Sequence, residues 1–211
     1  MIMPAFPESV PLLYVVRHGR TLWNDQGRFQ GLADIDLNDE GRAEAVAAGL
    51  RLRSLLNDRD QTIDQFDILS SRLIRAQNTA EILCQVNGSE VSRIRFDQRL
   101  GELSFGEWEG MTTLEVKSRF PALRKQRKTD RWNFRPPGGE SYADATPRIK
   151  NMFLDFRRPS ILVCHTGVMR IILHLLGKMP ESDASIHVIG HGDILIWSDG
   201  RLICDESPLQ M

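Results

Sequence analysis

Two short apolar runs that each stop on a histidine constrain this chain more than any other feature. Leu12-Leu13-Tyr14-Val15-Val16 runs into Arg17-His18-Gly19, and Ser160-Ile161-Leu162-Val163-Cys164 runs into His165-Thr166-Gly167. Runs of this length and composition read as strands buried in a parallel sheet. The loops leaving the carboxyl ends of such strands are where open α/β sheets bind ligands. Two strands therefore deliver two imidazoles to one edge, the first with the Arg17 guanidinium beside it, and the pair suits an anion. A third run, Phe66-Asp67-Ile68-Leu69-Ser70, leads into Ser71-Arg72 and adds an arginine from another strand end or the start of its helix.

The intervening chain alternates helix and strand. Asn38 caps a helix through about Asn57, with Ala45, Ala48, Leu52 and Leu55 on one face. A strand over Asp67–Ser70 precedes a helix from Leu73 to about Val86, with Ala76, Ala80 and Leu83 in register. Thr112 begins another helical stretch, and 123–128 is polar and basic. Ser141 with Asp144 forms a capping signal for a helix to about Phe156, in which Pro147 predicts a kink or a late first turn. An apolar helix over Val168–Leu176 is closed by Gly177. Strands over Ile186–Ile189, Ile194–Ser198 and Leu202–Cys204 follow, the last two joined by an Asp199-Gly200 turn. The alternation predicts a three-layer α/β/α sandwich with a mostly parallel central sheet.

At 211 residues the chain suits a single domain, 1–211, interrupted at about 103–140 by a Lys-, Arg-, Trp- and Pro-rich segment that reads as an insertion or lid. A net charge of −1 argues against nucleic acid or a membrane surface as partner, so any attraction for anions is local; Arg17, Arg20, Arg28, Arg72 and Arg75 are its candidate sources. Cys84, Cys164 and Cys204 are too few and scattered for a disulfide framework or a zinc site, and they read as buried thiols. Residues 1–11 lack the pattern of a leader peptide, and no stretch has the length of a membrane span, which gives cytoplasmic location as the expectation. His174 reads as a satisfied core side chain, and His187 and His191, flanking a Gly-rich turn, as surface or hairpin residues.

Many pieces fall in one order: Arg17-His18-Gly19 with Thr21 and Trp23-Asn24; Gly27-Arg28-Phe29-Gln30-Gly31; Leu37-Asn38-Asp39-Glu40-Gly41. Further along come Ser70-Ser71-Arg72 to Ala80, Leu100-Gly101-Glu102, Phe105-Gly106-Glu107-Trp108-Glu109-Gly110, Pro137-Gly138-Gly139-Glu140-Ser141, and the His165 segment. The set resembles the histidine phosphatase superfamily, in its phosphoglycerate-mutase-like branch. The resemblance implies a small phosphate ester as substrate, no metal and no cofactor, with His18 as the nucleophile that takes the phosphoryl group. Arg17, Arg72 and His165 would stabilise the transferring group, helped by Asn24 and Thr166, while Gln30 and Gly31 would complete substrate binding. Glu102 would protonate the leaving oxygen, with Glu107, Glu109 and Glu140 as competing carboxylates. It would do so best if burial or the bound phosphate raised its pKa toward neutrality.

The inserted segment would cover the site, making Trp108, Phe120, Arg131, Trp132 and Arg135 candidate contacts. Two positions depart from the family pattern. Arg20 stands where an acidic residue is usual, giving either a basic rim or a local ion pair, and Thr166 stands where small residues are common and narrows the pocket. The short span between Glu102 and His165 favours a phosphatase, with water as acceptor. A cofactor-dependent phosphoglycerate mutase and a non-catalytic phospho-ligand-binding or scaffold protein are the alternatives.

Overall fold

Successive side chains of β1 (Leu13–Arg17) enter two different cores. Leu13 and Val15 pack into one, Tyr14 and Val16 into the other, and all four are fully buried. A strand covered on both faces has no polar side, which is why it reads as a continuous apolar run. β4 (Ser160–Cys164) behaves alike, sending Leu162 and Cys164 to the first core and Ile161 and Val163 to the second.

The computed structural model describes residues 10–205, so the leader-peptide reading lies outside the described residues for 1–9. Between β1 and β4 come α1 (Leu22–Asp25), α2 (Asp39–Asn57), β2 (Asp67–Ser70), α3 (Ile74–Val86), β3 (Ile94–Phe96), α4 (Thr113–Arg119), α5 (Pro121–Thr129) and α6 (Tyr142–Phe153). After β4 come α7 (Thr166–Leu175), α8 (Glu181–Ile186), β5 (Ile194–Ser198) and β6 (Arg201–Asp205). The sheet order is β3-β2-β4-β1-β5-β6, with the first four strands parallel and β5 and β6 antiparallel to their neighbours. Buried residues of α2 and α3 fill the core on one face, and those of α6 and α7 fill the other. The three-layer α/β arrangement is therefore present.

The caps sit where the residue types place them. The Asn38 side chain accepts from the Gly41 amide at the start of α2, and Ser141 and Asp144 form a reciprocal capping box on α6. Two expectations meet a different outcome in part or in full. α6 begins at Tyr142 and runs through Pro147 without a late start, because Ala145, Ile149, Met152 and Phe153 are fully buried along it. That burial outweighs the roughly 3 kcal/mol cost of an interior proline.

The Ile186–Ile189 stretch is not a strand. Ile186 closes α8, whose first turn carries Glu181 and Asp183 behind Pro180, and the chain then loops through His187–Gly190 with Val188 exposed. Proline and acids at a helix start favour the helix over the sheet. The Asp199-Gly200 turn is as expected, both residues having φ in the left-handed region, at 51° and 76°.

Candidate active site

Parallel pairing brings the histidines together. Arg17 is paired with Cys164 across β1 and β4, and the His18 amide donates to the Cys164 carbonyl (3.1 Å). One residue further on, the His18 and His165 rings lie 5.0 Å apart, and both are buried.

The turn after His18 has no room for a side chain. A Cβ on Gly19 would lie 2.1 Å from the Gly41 carbonyl oxygen, so the N-terminus of α2 packs directly on this loop. Close backbone approach of this kind is open only to glycine.

His18 Nδ1 lies 2.7 Å from the Gly19 carbonyl, which can only accept, so Nδ1 carries the ring proton and Nε2 carries the lone pair. The Ser71 hydroxyl accepts from the Leu73 amide (3.3 Å) and lies 2.8 Å from His165 Nε2; we assign it as the donor there, which puts the His165 proton on Nδ1. Burial first, then the positive charges of neighbouring arginines, holds both histidines well below their ordinary pKa, as does the field of His165 for His18.

His18 opens onto a cleft of about 800 Å³, mouth included. Its floor includes Arg17, Asn24, Gln30, Gly31, Glu102, Thr166 and Gly167. Asn24 Oδ1 accepts from the Thr21 amide and hydroxyl (both 3.0 Å) in a capping box on α1, which leaves the Nδ2 donors for the cleft. Gly31 has φ +54°, and its carbonyl accepts from Arg75 (2.8 Å). Glu102 is held by two backbone amides, Leu103 on Oε1 (3.0 Å) and Gly167 on Oε2 (3.2 Å).

The other carboxylates differ from Glu102 in their surroundings, although Glu140 also lines the cleft. Glu109 Oε1 accepts from the Leu32 and Phe105 amides and the Ser104 hydroxyl, Glu140 pairs with Arg148 (3.0 Å), and Glu107 is exposed.

Arg72 is not brought to the cleft. It precedes α3 and is exposed, whereas Arg75, one helical turn later, is 1% exposed and lines the cavity. Its guanidinium donates to the carbonyls of Ala33 and Gly31 (both 2.8 Å), and burial lowers its pKa. Arg17 is buried enough that its pKa falls to about 10, a shift that the charge of Glu102 opposes.

His191 is likewise not the surface or hairpin residue expected. Its ring lies 6.0 Å from that of His18, and its Nε2 lies 2.9 Å from Arg17 Nη2. His174 packs 4.9 Å from the Trp132 ring, as its sequence context suggested, while His187 is half-buried in the loop after α8 and belongs to no hairpin. Arg20 forms no rim to the cleft; it meets Asp25, Glu40 and Glu44 at 3.4 to 3.7 Å.

Of the candidates in segment 103–140, only Arg131 lines the cleft. Trp108 is fully buried with Phe120 6.3 Å away, Trp132 stacks on Tyr142 (5.3 Å), and Arg135 binds Asp144. Arg127 and Arg170 do reach the cleft, and among the described residues neither they nor Arg131 has a carboxylate within 4 Å. Arg127 lies over the Phe29 ring (5.4 Å), and burial followed by the charge of Arg131 lowers its pKa to about 10.

Burying neutral histidines ties stability to pH. The unfolded chain binds protons below pH 6.5, whereas folded His18, His165 and His191 do not, His191 reaching about 2 by burial and the charge of Arg17. Their contribution is complete above pH 6.5 and shrinks on acidification by about 1.4 kcal/mol per pH unit for each histidine. The urea midpoint should therefore fall between pH 7 and pH 5 in phosphate-free buffer. A midpoint that holds or rises would count against neutral burial.

Paired imidazoles and arginines at the carboxyl ends of parallel strands, under a cleft rich in arginine, define an α/β enzyme that handles phosphoryl groups. The chain belongs to the histidine phosphatase superfamily (branch 1), whose family model matches residues 13–197. It is 36% identical over 181 residues to a glucosyl-3-phosphoglycerate phosphatase of Mycolicibacterium vanbaalenii, covering 80% of this chain and 75% of that one. A 2,3-bisphosphoglycerate-dependent phosphoglycerate mutase of Mesorhizobium japonicum is 35% identical, with 80% and 83% covered. The structure of mycobacterial glucosyl-3-phosphoglycerate phosphatase in complex with VO3 superposes with a TM-score of 0.75 at 30% identity, over 93% of this chain and 98% of that one.

Proposed function

We propose that this protein is a metal-independent phosphomonoesterase that works through a phosphohistidine on His18. The observation that carries the reading is the His18 tautomer. With Nδ1 committed to the Gly19 carbonyl, Nε2 is the nucleophilic nitrogen, in a cleft that Arg17 and Arg75 also line.

Nε2 attacks phosphorus, the P–O ester bond breaks, and the electron pair leaves on the alcohol oxygen, which takes a proton from Glu102. Water then attacks the phosphohistidine and gives a proton to Glu102, and the Nε2–P bond breaks to release phosphate. Arg17, Arg75 and Asn24, with the His165 Nδ1–H, balance the charge on the equatorial oxygens. Thr166, at the first position of α7, supplies a further donor, and Gln30 and Gly31 shape the wall.

The organic part of the substrate bears a second negative charge in this reading. Arg127, Arg131 and Arg170 share the cleft without carboxylate partners among the described residues. Segment 103–140 supplies Arg127 and Arg131, with Arg170 coming from α7, and acts as the specificity element. Cytoplasmic residence belongs to the same reading, supported by the buried thiols Cys84 and Cys164, neither in a disulfide.

The test is phosphate release, with chelator present, from phosphomonoesters matched in pairs with and without a carboxylate, run beside phosphoglycerate mutase activity. Metal-independent release favouring the carboxylated member is expected. Isomerisation without release would make the protein a mutase, and silence in both assays would leave a binding protein.

Glu102 has its own signature. Glu102→Ala should slow an alkyl phosphate at least about 100-fold while slowing p-nitrophenyl phosphate about 10-fold or less, because nitrophenolate leaves without a proton. Equal losses would remove Glu102 from the acid role.

A further inference from the structure

Behind the phosphate-facing side of the cleft lies a polar chain that the proposed chemistry does not use. Arg17 is anchored at both terminal nitrogens: Nη1 donates to the Ile189 carbonyl, and Nη2 donates to His191 Nε2 (2.9 Å). A guanidinium cannot accept, so Nε2 is the accepting nitrogen of His191 and its proton is on Nδ1. That Nδ1 faces Glu44 Oε1 at 4.0 Å. Glu44 is fixed in turn on α2, where Oε2 accepts from the Arg20 amide (2.7 Å) and Oε1 lies 3.5 Å from Arg20 Nε.

The topology explains how these residues meet. β5 is antiparallel to β1, with Val16 opposite Ile194, so the residues entering β5 lie beside the end of β1. The Gly192 amide donates to the Arg17 carbonyl (3.2 Å), and the Arg17 amide donates to Asp193 (3.1 Å). His191 is thus clamped by backbone on the same residue whose side chain it holds.

We propose that His191, backed by Glu44, is a positioning residue that fixes the Arg17 guanidinium so that its remaining N–H edge meets the phosphoryl group. This rests on Arg17 as a phosphate ligand in the proposed function. The ring is suited to the task because it stays neutral: burial and the charges of Arg17 and Arg20 hold its pKa at about 2. A protonated ring would offer Arg17 no acceptor. A flexible five-donor side chain that must engage a tetrahedral anion gains most from being held in one orientation beforehand.

The experiment is a double-mutant cycle read by calorimetric binding of inorganic phosphate, with turnover measured alongside. His191→Ala should weaken phosphate binding about 10-fold and lower kcat/KM by at least as much, and His191→Gln, which keeps an acceptor, should recover most of both. In an Arg17→Ala background, His191→Ala should cost less than about 2-fold more. Equal losses in both backgrounds would overturn the proposal, as would a Gln variant no better than Ala. Should His191→Ala fail to fold, Glu44→Gln serves, with a smaller loss that also disappears without Arg17; a loss that persists there overturns the idea equally. Coupled phosphate binding without hydrolysis of any ester would sustain the positioning role and reject the phosphatase reading. Hydrolysis without coupling would do the reverse.

Discussion

His18→Ala folds normally and hydrolyses phosphoesters more slowly by a factor on the order of 10⁴ or more. The size follows from the role, since without the imidazole no phosphoenzyme forms and water must attack the ester directly. The surviving arginines still bind phosphate, so KM for residual activity should change far less than kcat. The fold tolerates the change because the ring's one ordered bond runs to the carbonyl of the next residue. Acid-quenched turnover of labelled ester should not be the readout, because phosphohistidine is lost in acid; alkaline quench should retain label on the wild type and none on the variant. More than about 1% of wild-type kcat in His18→Ala would remove covalent catalysis.

Arg75→Ala should lower kcat/KM by a factor on the order of 10³, while Arg72→Ala changes it less than about 3-fold. Arg75 is buried at the cleft, with its guanidinium already ordered by the Gly31 and Ala33 carbonyls, so it meets a phosphoryl group without reorganising. Removing it leaves those two carbonyls without their donor, and a stability loss of about 1 to 3 kcal/mol should accompany the kinetic one. Arg75→Lys should recover little, because an ammonium cannot span two carbonyls and a phosphate oxygen together. Arg72 is exposed, and its charge is screened by solvent. Comparable losses in the two alanine variants would mean that the cleft closes differently around substrate.

The two arginines also illustrate what the sequence can and cannot reveal. That an arginine follows β2 was plain from order along the chain. Which one faces inward depended on helical phase, and the signal was there: Arg75 falls in register with Thr79 and Leu83, both buried on the inner face of α3. Arg72 lies before the helix, where no periodicity fixes its direction. His18 and His165 were legible because each ends a strand whose buried run fixes position and neighbour alike. His191 was not, since it comes to Arg17 only through the antiparallel placement of β5, and nothing local states which strand β5 will join. The aromatics of segment 103–140 misled for a similar reason: Trp108 buries itself among Phe29, Phe120 and Phe134, and Trp132 joins the core beside Tyr142, so the apolar surface of both is taken up away from the cleft.

The place of β1 at the middle of the sheet has a consequence for synthesis on the ribosome. β1 precedes every other strand among the described residues, yet its partners are β4 and β5, with Leu13 waiting for Ser160 and then Trp197. Until β4 is made, Leu13-Tyr14-Val15-Val16 has both backbone edges open, while β2 and β3 can already pair behind it. Such long-range closure is slow and leaves a sticky segment exposed. His18 is therefore translated long before its surroundings can assemble, so a nascent chain stalled before β4 should hold helices and no complete site, and should be a client for chaperones.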